Sequence, residues 1–312
     1  SSAASDVYKR QAYSYLAIYI LGYLAVYLYL YFTAVLRSFG NSMFQAVAML
    51  VSTILNAILD PIFIHFIGFH GAAIATLLSQ VICLAFMLIY LKKKKLFEFK
   101  ISAFDKNDVL TLIQKAIPSV IQQSIPAIST TFFTALVSTY SVTAIAAYGV
   151  TGKLETILFY PAMALNMVLT TIIGQCVGGA RYDRAKDYLK CALGYGCGLL
   201  VILSVLVVGF SKRLSVLFVR SEDVATIVGT YFLIVSIGYV LNTVTNCYLG
   251  SLNGMGKPSK SMFLMIFYYI VVRMPLAYLL SYLGFGLNGI WVAVLISHVA
   301  VSYTHLRAHE TL

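Results

Sequence analysis

Asn56 and Asp60 stand four residues apart inside the apolar run Val51–Gln80, with Pro61 directly after the acid. That spacing puts both side chains on one face of a helix. A carboxylate at membrane depth is costly, and where one occurs it faces a bundle interior or a wet cavity and serves ion or proton traffic. Proline donates no N–H to the carbonyl four residues back, so a helix can bend there and free a backbone oxygen within a turn of Asp60. Oxygen ligands suit Na+ or a proton. These residues point to cation coupling, with a purely structural hydrogen-bonding role as the alternative.

The second deep acid, Glu155, follows Lys153 by two residues, a spacing at which helix side chains do not face each other. Each is expected to find its partner elsewhere, Arg273 or a carbonyl, and to serve either structural stability or the electrostatics of a substrate cavity. Tyr15, Tyr19, Tyr23, Tyr27 and Tyr31 form a slowly drifting stripe. Ring faces attract organic cations by roughly 0.5–2 kcal/mol each, so the stripe reads as a cavity wall or as helix packing with interfacial anchoring, packing being favoured. The segment 111–137 is unusually polar, with Gln122, Gln123, Ser124, Ser129, Thr130 and Thr131, and is broken by Pro118 and Pro126. It belongs beside other helices or water and not against lipid. Met163 and Met167 offer a pliable ligand surface or core packing, the latter favoured.

His65, His70 and His298 have no companion at metal-binding spacing. Cys83, Cys176, Cys191, Cys197 and Cys247 show neither disulfide-like nor metal-like spacing and read as small core residues. No GxxxxGK[ST] loop is present, so ATP coupling finds no support. No catalytic residue and no cofactor is assigned; the only metal considered is Na+ at Asp60 and Asn56.

The elements that must position these residues follow from composition. The chain of 312 residues is 60% hydrophobic and 11% charged, with a mean hydropathy of +0.87, which marks an all-α polytopic membrane protein. The net charge of +11 sits mainly in short loops, where it sets orientation, and no basic stripe suggests nucleic acid. Nine spans are expected at about 12–36, 43–67, 71–91, 111–137, 142–175, 187–210, 227–251, 260–283 and 287–303, the 142–175 block being longer than one span. The last apolar segment, Leu287–Ala300, falls short of the ~20 residues that cross a bilayer. Residues 1–11 and 303–312 fit neither span nor loop and read as non-native tails. The polar linker 92–108, with KKKK at 92–95, separates 12–91 from 109–302. Placed in the cytoplasm, it puts RSFGNS, GGARYDRAKDYLK and NGMGKPSK there too, and only SKRLSVLFVRSED dissents.

An internal repeat organises the whole. SYLAIYILGY…AVLRSFGNS (14–42) matches TYFLIVSIGY…GSLNGMGKPS (230–258), pairing Gly22 with Gly238, Tyr23 with Tyr239, Leu36 with Leu252 and Gly40 with Gly256. GFHGAAIATLLSQV matches GFGLNGIWVAVLISHV with a two-residue insertion, pairing Ser79 with Ser297. The first three spans thus return as the last three in the same orientation, the parallel-repeat pattern of two-bundle transporters. Spans 111–210 lack an upstream counterpart. The expected parent has two six-span halves, with the chain holding the latter half of the first and nearly all of the second.

With LRSFGNS echoed by LNGMGKPS, and with LNAILDPIF, GAAIATLLSQ, IPSVIQQS, AAYGVTGKLE and above all GQCVGGARYDRAK, the chain over about 12–302 resembles MATE (multidrug and toxic compound extrusion) exporters of the bacterial type. The family's usual form of the last motif is GQNxGAG followed by an Arg-Ala pair. The resemblance implies a two-lobe bundle in the bacterial plasma (inner) membrane, monomeric, with a cytoplasmic inter-lobe linker. It would export small cationic, partly lipophilic compounds by alternating access in exchange for Na+ or H+. It implies a first-lobe cation site in which Asn56 and Asp60 fill the fifth-span positions and Thr76 the sixth-span one, the first-span acid lying outside the chain. Second-lobe acids of some members fall on the seventh and tenth spans; Gln122 and Gln123 lie on the former here and Asn242 on the latter, leaving Asp60 the stronger candidate. The substrate cavity is expected to draw on Tyr19, Tyr23, Tyr27, Gln122 and Gln123, and on Lys153, Glu155, Asn242 and Arg273. Rivals are a lipid-linked oligosaccharide flippase of the same superfamily, which would show several basic cavity residues; an intramembrane enzyme, which would need more than the scattered Asp60, Glu155 and His298; and a channel.

Overall fold

Four of the long apolar runs begin where a short polar side chain holds one of the first free N–H groups of a helix. Asn41 accepts from the Phe44 N–H at 3.3 Å, Asp105 from Asn107 at 2.8 Å, Ser141 from Ala144 at 2.9 Å and Ser221 from Val224 at 3.4 Å. The computed structural model describes residues 22–68, 70–95 and 105–309, with 13, 16, 17 and 20; side chains are described for all of these but 42 and 303–309. The helices are α1 Tyr23–Ser38, α2 Ser42–Ile67, α3 His70–Lys93, α4 Lys106–Ser138, α5 Val142–Gly178, α6 Tyr182–Phe218 and α7 Glu222–Gly254. There follow α8 Pro258–Ile266, a π-helical stretch Phe267–Arg273, α9 Met274–Leu280, a second π-helical stretch Ser281–Phe285, and α10 Gly286–His309. No strand occurs among the described residues.

Seven of these helical stretches are long and apolar enough to cross a membrane. The nine expected spans map onto them because α1 is described over only 16 residues and the last two spans run on as one stretch, Pro258–Ser302. A kink at Gly284, φ +89°, marks where those two part. One expectation is corrected: helix α4 runs unbroken through Pro118 and Pro126, and its hydroxyls bond back to carbonyls one turn earlier, as Ser119 does to Lys115 and Thr130 to Pro126. Helix α10 continues to His309, past the apolar run that ends at Ala300.

The two copies of the repeated loop fold into the same turn, bond for bond. After α1, the Gly40 N–H reaches the Arg37 carbonyl at 2.9 Å and the Asn41 N–H reaches Leu36 at 3.1 Å; after α7, Gly256 reaches Asn253 at 3.0 Å and Lys257 reaches Leu252 at 2.9 Å. This is a Schellman end, which needs a left-handed residue just past the helix. Gly40 and Gly256 supply it at φ +76° and +72°. The loop after α5 makes the same pair of bonds, Ala180 to Val177 at 3.1 Å and Arg181 to Cys176 at 2.8 Å, but with an alanine at φ +55°.

The chain forms two compact units, Ser1–Ala103 and Phe104–Leu312. In the first, α3 packs against both α1 and α2, burying Tyr29, Phe32, Leu36, Met87 and Leu91 together. In the second, α7 is the most buried helix and joins Phe133, Leu154, Leu200, Phe232, Tyr239 and Trp291 in one core. Its tightest approach is to α5. Gly250 and Gly254, a small-xxx-small pair, let the backbones meet: an added Cβ at Gly250 would lie 2.4 Å from the Asn166 carbonyl oxygen, and one at Gly254 would lie 2.7 Å from that of Thr170.

Candidate functional site

In the Ser1–Ala103 unit, Asp60 and Asn56 share one face of α2, and α3 brings Thr76 to them. The Asn56 Nδ2 donates to Asp60 Oδ1 at 3.1 Å and to Thr76 Oγ1 at 3.3 Å, while the Thr76 hydroxyl donates to the Ala72 carbonyl at 2.9 Å. All three residues are half-buried. A carboxylate, an amide and a hydroxyl thus converge from two helices. The second carboxylate oxygen of Asp60 and the amide oxygen of Asn56 have no hydrogen-bond partner among the described residues. Pro61 lies within continuous helix and leaves the Ala57 carbonyl, on the turn before it, without its usual donor. The group is a set of hard oxygen atoms around one negative charge, a donor set for a monovalent cation or a proton.

In the Phe104–Leu312 unit, helices α4, α5, α7 and α10 and the π-helical stretch enclose a cavity of about 440 Å³. Of the expected cavity residues, Gln122, Gln123, Glu155, Asn242 and Arg273 line it. Lys153 does not: it is exposed on α5, about 200° around the helix from Glu155, as a spacing of two requires. Tyr23 and Tyr27 belong to the other unit and are 60% and 57% exposed, with Tyr31 at 46%. They lie outside the packed core of that unit, which draws on Tyr29 and Phe32 instead. Tyr15 and Tyr19 lie outside the described residues. Met163 and Met167, read as core, are 45% and 48% exposed and line the cavity.

Glu155 finds neither Arg273 nor a carbonyl. Its Oε1 accepts from the Tyr231 hydroxyl at 2.5 Å and from the Tyr239 hydroxyl at 2.6 Å, with Trp291 edge-on to Tyr231 at 4.8 Å and Phe159 edge-on to Tyr239 at 5.7 Å. Arg273 makes a separate cluster. Its Nε donates to Ser297 Oγ at 2.9 Å, its Nη2 bonds the Tyr268 hydroxyl and lies 3.1 Å from His298 Nε2, and its guanidinium carbon sits 4.5 and 4.6 Å from the ring centroids of Tyr268 and Tyr269. Glu155 and His298, scattered in the sequence, line the same cavity. Residues 76 and 84 apart join Glu155 to its tyrosines, and no local spacing announces such pairs. The Tyr268–Tyr269 doublet and the pairing of Ser297 with Ser79 in the repeat were the available signals for the Arg273 cluster. Both serines are buried and both bond back to a carbonyl three residues earlier. Among the described residues no group of three or more His, Cys, Asp or Glu side chains is placed to hold a metal.

The family model described as MatE matches residues 118–279. The probable multidrug resistance protein YoeA of Bacillus subtilis (strain 168) is 25% identical over 288 residues, 88% of this chain and 62% of the relative. The FAD transporter of Shewanella oneidensis is 27% identical over 276 residues, 85% of this chain and 60% of the relative. The chain thus spans about 60% of the length of these curated relatives. Among solved structures, the Vibrio cholerae MATE transporter VcmN in the bent form superimposes with a TM-score of 0.87 at 21% identity, covering 95% of this chain and 68% of that one. An outward-facing multidrug resistance MATE transporter gives 0.87 at 21% identity, covering 93% and 66%. At these identities the likeness establishes the fold.

Proposed function

The chain belongs to the MatE family, whose members are transporters and not enzymes, and from that premise we propose that the protein is a secondary antiporter exporting cationic, partly lipophilic compounds in exchange for Na+ or H+. One observation carries the reading: Asp60, Asn56 and Thr76 meet through hydrogen bonds of 3.1 and 3.3 Å and leave carboxylate and amide oxygens for a cation. Occupancy of that site by Na+ or a proton would favour one of two bundle arrangements, because an ion shifts an equilibrium only by its differential affinity for the two states. The exporting reading comes from relatives such as YoeA, described as a probable multidrug resistance protein. We place the protein in the bacterial inner membrane as a monomer, with the 92–108 linker in the cytoplasm between two lobes. A flippase for lipid-linked oligosaccharides is not favoured, since Arg273 is the one Lys or Arg among the residues lining the cavity.

The test is dye efflux from proteoliposomes holding the full-length protein, wild type beside Asp60→Asn, under separately imposed Na+ and H+ gradients. Efflux of a cationic dye in the folded mutant is expected to fall to the passive leak, and the gradient that drives the wild type names the ion. A mutant that pumps at the wild-type rate makes Asp60 structural and ends this reading.

A further inference from the structure

We propose that Arg273 anchors an anion-binding subsite in the cavity of the Phe104–Leu312 unit, taking a carboxylate or phosphate group carried on an aromatic transported molecule. The proposal rests on the transporter reading only in treating the cavity's ligand as cargo.

The π-helical stretch creates the cluster. Tyr268 and Arg273 are five residues apart, which on an α-helix at about 100° per residue would point them to different faces. The wider i→i+5 turn of a π-helix, a feature frequent at functional sites, returns them to one face. Arg273 is only 8% exposed and lines the cavity, yet its hydrogen-bond partners Ser297, Tyr268 and His298 are all uncharged residues or a ring nitrogen. Among the described residues no carboxylate lies within ion-pair distance. The acid that shares the cavity, Glu155, is held by Tyr231 and Tyr239 instead. A buried guanidinium without a bonded counter-ion is costly, and a ligand anion would offset that cost.

The hydrogen-bond pattern leaves donors ready. A guanidinium only donates, so His298 Nε2 accepts from it and the ring proton sits on Nδ1. That Nδ1–H then donates to the Tyr268 oxygen, 2.7 Å away, which also accepts from Arg273. The Tyr268 hydroxyl hydrogen is then left for His298 Nε2, 3.3 Å away and already bonded by Arg273, or for a ligand anion. A second donor on the cavity lining, Asn242 Nδ2, is buried and unpartnered, its amide oxygen being within 3.4 Å of Asn246 Nδ2. Tyr148, Phe159 and Tyr160 line the same space and suit an aromatic scaffold.

The experiment is equilibrium binding by fluorescence anisotropy to the full-length protein in nonionic detergent, without any ion gradient. Its two probes are rhodamine 19, which carries a free carboxylate, and rhodamine 6G, the ethyl ester of the same molecule. The wild type is expected to bind the acid about tenfold tighter than the ester, the discrimination of one charge-assisted hydrogen-bonded pair. Arg273→Gln should erase that preference by weakening the acid alone, the unchanged ester affinity showing that the cavity is intact. If Arg273→Gln binds neither dye, Arg273→Lys decides: a retained preference for the acid supports the subsite, and a lost one overturns it. Equal binding of both dyes by the wild type, or a measurable but equal weakening of both by Arg273→Gln, overturns it and makes Arg273 a structural residue. With phosphatidylglycerol added, a surviving preference keeps the subsite for cargo, and a vanished one hands it to a lipid headgroup. Because no gradient is applied and Asp60 is untouched, failure here and failure of the antiport reading are separate results.

Discussion

An alanine holds φ +55° at position 180, where the equivalent turns use Gly40 and Gly256. An L-residue in that region carries a left-handed penalty of about 1–2 kcal/mol, and glycine would return part of the gain as extra chain entropy lost on folding. Ala180→Gly is therefore expected to stabilise the protein by about 0.5–1 kcal/mol, seen as a higher thermal unfolding midpoint in detergent; an unchanged or lower midpoint would mean the turn is not held as described. Glu155 presents the opposite case, a half-buried acid whose hydrogen bonds come from two tyrosines. Tyr231→Phe and Tyr239→Phe each keep the ring in its packed place and remove one donor to the carboxyl. Each should cost about 1–3 kcal/mol by the same unfolding measurement, and a neutral outcome for both would deny the Glu155 cluster any structural weight. Neither feature could be read from local sequence. The turn needed coordinates to show which residue takes the positive φ, and the acid's partners come from another helix.

Helices α5 and α7 show how little the content of an element says about its contact. Both are apolar along their length, and it is the GxxxG spacing of Gly250 and Gly254 that lets them close. A methyl at Gly250 meets the Asn166 backbone, which cannot swing aside as a side chain would. Gly250→Ala is expected to destabilise by about 1–3 kcal/mol, the usual cost of overpacking, whereas Gly152→Ala, where an added Cβ meets nothing within 4 Å, should be neutral or slightly stabilising because alanine favours helix. Thermal unfolding of the two variants side by side checks the contrast, and equal behaviour would remove the close-approach argument. Of the polar residues read in α4 as a face that avoids lipid, Gln122 and Ser129 are buried, while Gln123, Ser124, Thr130 and Thr131 are exposed. The prolines misled, because both lie inside one continuous helix, each removing a single donor and leaving the rest of the ladder in place.

On the scale of the whole molecule, the candidate cation group and the Arg273 cluster sit in different compact units and share no hydrogen-bond partner among the described residues. Substitutions that share no partners act nearly independently. Asp60→Asn is therefore expected to abolish gradient-driven efflux while leaving rhodamine affinity in detergent within about twofold of wild type; a large loss of dye binding in that mutant would tie the two groups together. What the sequence by itself determined was set by periodicity and by the expense of polar atoms in apolar surroundings. Those rules are local, so they delivered the helical membrane class, the repeat with its matched turns, and the Asn56–Asp60 pair on one face. The placement of Thr76 beside that pair was implied by resemblance and not by spacing. Tertiary structure alone decided which way Lys153 and Glu155 face, that the methionines line a cavity, and that Arg273 lies against two tyrosine rings. Those outcomes depend on which helix lies opposite and on a π turn that resets the face of five residues, and neither is encoded in the spacing of any one segment.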